Sequence, residues 1–73
     1  MEWINDSNKL EDNYEDEEVF HMDKGKYGAS VVNSPYAITW AVMCFAPYKV
    51  LEYQFSESVT EAKEAAEKFL EKL

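Results

Sequence analysis

A chain of 73 residues with one cysteine and one histidine must fold without an internal disulfide and without a zinc site of its own. A domain near this size buries only about 60% of the surface that its unfolded chain exposes. Domains that lack crosslinks therefore depend on unusually good packing or on self-association. Because 47% of the residues are hydrophobic, either route is open, and we expect a single folded domain.

The negative charge is concentrated at the start of the sequence. Residues 1–23 contain nine acidic residues and one lysine, a net charge of −8, which equals the net charge of the whole chain. Residues 24–49 carry three lysines and no acid (+3), and residues 50–73 carry six glutamates and three lysines (−3). Proteins that bind phosphates normally use clustered lysine and arginine. The chain contains no arginine, so direct nucleic-acid binding is not expected.

The acidic run divides the chain into two predicted parts, a flexible acidic arm at residues 1–18 and a folded domain at residues 19–73. Asn and Asp residues in the arm favour turns and loops. Its acids either keep the protein soluble or engage a basic surface on another protein, taking the place of DNA or RNA. Trp3 either docks on its own domain or anchors a partner. The predicted partner-binding residues are Trp3, Glu11, Asp12, Tyr14, Glu15, Asp16, Glu17 and Glu18.

Residues 19–55 carry the patterns of three or four antiparallel strands joined by short turns. The predicted strands are residues 19–22, 27–32, 37–46 and 50–55. Gly25 is suited to the first turn because it adopts positive φ without strain, and Pro35 marks a break. In the last strand, the alternation predicts that Leu51, Tyr53 and Phe55 share one face and that the opposite face is wet.

The segment 37–46 has two apolar faces, which is typical of a strand in the interior of a sheet. One face, assigned to the core, contains Ile38, Trp40, Val42 and Cys44. The other face has nothing obvious to cover it, and exposed apolar surface of this kind marks interfaces. We therefore predict a homodimer interface formed by Thr39, Ala41, Met43 and Phe45.

The C-terminal segment predicts an amphipathic helix. Ser58 and Glu61 fit a capping box at its start. Apolar residues then recur at three- and four-residue spacings: Val59, Ala62, Ala65 or Ala66, Phe69 and Leu73. The predicted fold class is α+β, a three- or four-stranded antiparallel meander with this helix packed on one face.

Catalysis, metal binding and membrane insertion are not expected. Cys44 and His21 are the only candidates for a nucleophile and its base, and they fall on different predicted strands. The acids at 12–18 are consecutive and lack the glycine of a calcium loop, so no metal or cofactor is predicted. The apolar run 41–47 is too short to span a bilayer. Met1 is followed by acids rather than by a signal sequence, which favours the cytoplasm.

The folded part resembles a loose class of short bacteriophage and prophage proteins. The resemblance rests on the Trp-x-Val core of one strand (Trp40, Val42), on the Phe-Ser end of another (Phe55, Ser56) and on the Ala-rich helix at 60–70. It covers residues 27–73 and is similar at the level of a β-meander followed by a helix. It implies a phage-type accessory protein that works in the host cytoplasm, a class that includes inhibitors of host defence and of host enzymes.

Two functions follow as expectations. The first is an acidic protein-binding module, an inhibitor that occupies a basic, nucleic-acid-binding site of a host enzyme. The second is a structural or assembly subunit that associates through its apolar sheet face.

Overall fold

The computed structural model describes residues 2–5, 17–45 and 47–73. These residues form a five-stranded antiparallel sheet followed by one helix. The elements are β1 (Ile4–Asn5), β2 (Glu18–Lys24), β3 (Tyr27–Asn33), β4 (Ile38–Phe45), β5 (Tyr48–Ser56) and α1 (Val59–Glu71). The strands lie in sequential order across the sheet. The α+β class and the antiparallel sheet with its C-terminal helix are thus confirmed, although the prediction of three or four strands was too low.

The core lies between α1 and one face of the sheet, which we call the helix face. Val31 of β3 and Val42 of β4 are fully buried there, beneath Ala62 and Ala66 of the helix. Alanine side chains allow the helix backbone to approach the strands closely, so larger neighbours fill the margins. Trp40 packs at one such margin, where its ring centroid lies 6.4 Å from that of Phe69. The other side of the sheet, the open face, carries no helix among the described residues.

The additional strand comes from the segment that the sequence assigned to the arm. Ile4 lies opposite His21 and Asn5 opposite Phe20, so β1 extends the sheet beside β2. Glu18, the last residue of the predicted arm, is the first residue of β2. The first and last parts of the segment 1–18 therefore belong to the sheet. Glu11, Asp12, Tyr14, Glu15 and Asp16 lie outside the described residues.

A β-bulge changes the orientation of half of β5. Val42 lies opposite Glu52, whereas the next residue of β4, Met43, lies opposite Val50, so Leu51 has no partner across the ladder. Leu51 packs against the core, while Tyr53 and Phe55 lie on the open face. The prediction that these three side chains share one face was wrong, because a bulge inserts one residue and reverses the alternation.

The helix begins as predicted and buries the predicted stripe except at its C-terminal end; Val59, Ala65 and Phe69 pack against the core. Ser58 is its N-cap, and the Ser58 hydroxyl accepts a hydrogen bond from the Glu61 backbone N–H. The fully buried side chains recur every fourth residue and include Leu70, whereas the sequence pattern had favoured Leu73, which lies beyond the helix end. In the described part of the chain, no helix is long and apolar enough to span a membrane.

Replacing Ser58 by alanine should lower the free energy of unfolding by about 0.5–2 kcal/mol. The Ser58 Oγ lies 3.1 Å from the Glu61 nitrogen, and its loss leaves that N–H without its side-chain acceptor. Ser58→Asp should retain most of the stability, since aspartate accepts the same bond and complements the helix dipole. Urea denaturation of the three proteins tests this, and equal midpoints for Ser58→Ala and the parent would contradict it.

Candidate interaction surface

The sheet ends in a row of residues from four strands, and acids gather around that row. Glu18, Asn33, Ile38 and Ser56 are aligned across β2 to β5. Glu17 precedes this row and Glu57 follows it in the chain. The Asn33 side-chain amide donates a hydrogen bond to Glu18 Oε1 over 3.3 Å, which places that carboxylate at the margin of the sheet. We call this margin the acidic end.

The opposite margin carries lysines. Lys24, Tyr27, Cys44 and Lys49 are aligned across β2 to β5. Lys26 lies in the turn between β2 and β3 beside Gly25, whose φ of 63° provides the left-handed conformation that the turn requires. We call this margin the lysine end. Two acids lie at the lysine end as well, because Asp23 precedes Lys24 in β2 and Glu2 lines the same depression as Asp23 and Lys24. The acidic end carries glutamates without a lysine among the residues named, so the sheet is more negative at that end.

Three aromatic side chains are exposed at or near the acidic end. Tyr36, in the loop between Asn33 and Ile38, is 97% exposed. Phe55 and Tyr53, on the open face of β5, are 72% and 56% exposed. Their rings meet edge to face with centroids 6.1 Å apart. Because tyrosine is enriched among the residues that dominate binding energy, aromatic side chains next to acids form a candidate protein-binding surface.

The loop that carries Tyr36 is closed by its own hydrogen bonds. The Ser34 hydroxyl and the Ser34 N–H both donate to the Ala37 carbonyl, over 2.9 Å and 3.0 Å. The Ala37 N–H in turn donates to the Ser34 Oγ over 3.2 Å. A loop held in this way presents its side chain with little ordering left to complete on binding. Tyr36 was not among the predicted partner-binding residues, although the break at Pro35 before it indicated a turn.

Trp3 is docked on its own domain. Its indole N–H donates a hydrogen bond to Glu67 Oε1 over 3.0 Å. The Lys63 ammonium lies 6.0 Å from the centroid of the Trp3 ring and 4.0 Å from that of Phe20. These contacts connect the start of the chain to α1 and β2. Trp3 is thus engaged within the domain, at a distance in the sheet from the exposed aromatic residues.

The four predicted dimer-interface residues all lie on the open face. Thr39, Ala41 and Met43 are half-buried by their neighbours, whereas Phe45 remains exposed. The Phe45 ring covers Gly28, where an added Cβ would come within 2.5 Å of the ring. The larger exposed area of the open face belongs to β5, with Tyr48 and Val50 in addition to Tyr53 and Phe55.

The structure also places the residues considered for catalysis and metal binding. His21 lies on the open face, in the ladder with Ser30 and Ala41. Cys44 lies on the helix face, and its thiol donates a hydrogen bond to the Pro47 carbonyl over 3.2 Å. Side chains on opposite faces of one sheet cannot form a thiolate–imidazole pair. The described residues contain no group of three or more His, Cys, Asp or Glu side chains arranged to hold a metal ion. Comparison of the chain with known protein families, curated proteins and solved structures finds no match.

Proposed function

We propose that this protein is a small acidic protein-binding module that occupies a basic site on a larger protein and blocks it. One observation carries the proposal: exposed aromatic side chains lie beside the carboxylates of the acidic end, while lysines lie at the far end of the sheet. Acids alone would serve solubility equally well. Aromatic anchors next to acids add the desolvated contacts that give an interface its affinity.

The separation of charge gives the encounter a direction. A basic site on the partner attracts the acidic end more strongly than the lysine end, where Asp23 and Glu2 offset part of the lysine charge. Such complementarity raises association rates and suppresses wrong orientations. The attraction fades over about 8 Å at physiological ionic strength, so it acts on partners that already approach the correct margin. The acids at positions 11, 12, 15 and 16 add to the negative charge that precedes Glu17 in the chain.

The partner best suited to this surface is a protein that itself binds nucleic acid. Its site carries clustered lysine and arginine for phosphate contacts, and a surface of carboxylates can compete for them. The resemblance to phage accessory proteins agrees with an inhibitor of a host defence or nucleic-acid enzyme. In that function the module prevents DNA or RNA from binding and needs no chemistry of its own.

The electrostatic part of the proposal is tested with two variants of equal charge. Glu18→Gln/Glu57→Gln removes two carboxylates from the acidic end, and Glu64→Gln/Glu71→Gln removes two exposed carboxylates from the helix. A partner is first captured from a lysate of the source cells, identified and purified. Association rates are then measured at low and high salt. We expect the first variant to associate several-fold more slowly than the parent and to lose part of the salt dependence, and the second to remain close to the parent.

The aromatic part is tested with Tyr36→Ala. Because Tyr36 is almost fully exposed, its removal should leave the melting temperature unchanged while the affinity for the partner falls roughly tenfold, as for an interface anchor. Equal association rates for the two charge variants, or binding that does not depend on salt, would overturn the basic-site proposal. If Tyr36→Ala binds the partner with unchanged affinity, the loop that carries Tyr36 is not part of the interface.

A further inference from the structure

The outer edge of β5 offers a nine-residue strand for pairing. Among the described residues β5 pairs only with β4, and β4 lies on one side of it. Tyr48–Ser56 contains neither proline nor glycine, and Lys49 and Glu52 are its only charged residues. Natural sheets protect such edges with lysine, proline, inward-pointing charge or bulges. β5 contains Lys49, Glu52 and a bulge, but its four large side chains on the open face stay exposed. We propose that β5 pairs in antiparallel orientation with β5 of a second copy, which joins two sheets into one.

The bulge gives β5 a symmetric pattern of faces. Tyr48, Val50, Tyr53 and Phe55 lie opposite open-face residues of β4, whereas Lys49, Glu52 and Gln54 lie opposite helix-face residues. Leu51, the unpaired residue, packs towards the core. From Tyr48 to Leu51 the side chains lie on the open, helix, open and helix faces in turn. From Glu52 to Phe55 they lie on the helix, open, helix and open faces. This order is the same in both directions from the midpoint between Leu51 and Glu52.

This symmetry fixes the register of the pairing. A two-fold axis at the midpoint places Val50 opposite Tyr53 of the second copy and Tyr48 opposite its Phe55. Directly opposed residues of antiparallel strands share a face, and both of these pairs do so. In a regular strand, an axis between two residues would oppose residues of different faces, because the side-chain period is two. A regular strand matches its own copy only about an axis through a residue, whereas the bulge allows β5 to match about the midpoint between Leu51 and Glu52.

Charge favours this arrangement at the margins and opposes it near the axis, where the two Glu52 residues lie on the same face, each opposite Leu51 of the other copy. Antiparallel pairing brings the acidic end of one sheet beside the lysine end of the other, so that Glu57 approaches the margin that carries Lys49. The charge of β5 itself sums to zero. The open-face side chains of the two strands merge into one apolar band, and the two acidic ends lie at opposite ends of the joined sheet. The inference does not depend on the proposed function. Tyr53, Phe55 and Glu57 lie at the seam between the two copies, whereas Tyr36 and Glu18 of each copy remain available to a partner.

The test uses the full chain and a charge placed at the predicted contact. Sedimentation equilibrium over a concentration series should show a dimer for the parent protein. Tyr53→Lys should raise its dissociation constant by roughly two- to thirtyfold, since the change occurs in two equivalent cross-strand pairs. Adding Val50→Glu should restore dimerisation, because Lys at 53 then faces Glu at 50 of the other copy. The matched control adds Ser30→Glu instead, which has the same charge but lies two strands from the edge and should not restore it.

Several outcomes would overturn the inference. The inference is wrong if the parent protein sediments as a monomer up to its solubility limit. It is also wrong if the protein forms a dimer whose dissociation constant Tyr53→Lys does not change. A dimer broken only by Met43→Glu would instead pack through the open face. Circular dichroism of each variant establishes that the fold is retained, as expected for the exposed positions 50 and 53. Salt separates the two proposals. Each copy carries a net charge of −8, so screening of their mutual repulsion should strengthen dimerisation, whereas binding to a basic partner should weaken.

Discussion

Replacing Trp40 by alanine is expected to lower the free energy of unfolding by about 3–5 kcal/mol. Trp40 is 8% exposed and lies in an interior strand, in the row that joins Val31 to Gln54. Its removal leaves a cavity between the sheet and Phe69, which the short helix can only partly close. A domain of this length has a total stability of roughly 4–11 kcal/mol, so a large share of the molecules would unfold. Urea denaturation followed by circular dichroism measures the loss.

The matched control for this change is Tyr36→Ala, which removes an aromatic side chain from a fully exposed position. It should alter the free energy of unfolding by no more than about 0.5 kcal/mol. A double-mutant cycle with Phe69→Ala then isolates the contact between the two rings, for which we expect about 0.5–1.5 kcal/mol. Similar losses for the Trp40 and Tyr36 variants would contradict the placement of the core.

The local patterns predicted most of the elements because they depend on residues close in sequence. A turn around Gly25, a break at Pro35 and a Ser58 cap are each decided by a few neighbouring residues. The segment 37–46 was predicted to be an interior strand because both of its faces are apolar and both must be buried. The alternation also placed Trp40 and Val42 on one face, and in the ladder they lie beside Val31 and Ala29 of β3.

Two features of the fold depend on contacts that a local pattern does not contain. β1 has only two residues, too few for a sequence pattern to predict a strand. It forms because Ile4 and Asn5 pair with His21 and Phe20, which lie far along the chain. The bulge at Leu51 is set by the fit of β5 against β4, where one residue too many must be accommodated. Strict alternation therefore assigned Tyr53 and Phe55 to the interior, and the large apolar surface of the open face was underestimated.

The candidate surface was predictable in its charge and unpredictable in its aromatic part. The acidic run indicated either a solubilising segment or a basic partner, and residues 24–49 were already positive. Whether these charges would lie together or apart depended on the topology. A meander brings the start of β2 and the end of β5 to one margin, which unites Glu18 with Glu57 over a separation of 39 positions in sequence. Tyr36 is exposed near these acids because it lies in the loop between β3 and β4. A tyrosine as such could equally well be buried.

Replacing Leu70 by alanine should cost about 2–5 kcal/mol of unfolding free energy. Leu70 is 1% exposed and follows Ala62 and Ala66 on the buried stripe of α1. The two alanines contribute little apolar area, so Leu70 provides much of what holds the end of the helix against the sheet. Its truncation should lower the denaturation midpoint strongly and increase amide exchange in the last turns of the helix.

Leu73→Ala is the matched control, with the same atoms removed three positions later. Leu73 is 50% exposed and lies after the helix C-cap, Lys72, so its loss should change stability by no more than about 0.5 kcal/mol. The pair also separates the two helical stripes. A spacing of four from Phe69 favoured Leu73 in the sequence, whereas the same spacing from Ala62 and Ala66 leads to Leu70, which packs against the sheet. If Leu73→Ala proves the more damaging change, α1 is rotated about its axis relative to the structure described above.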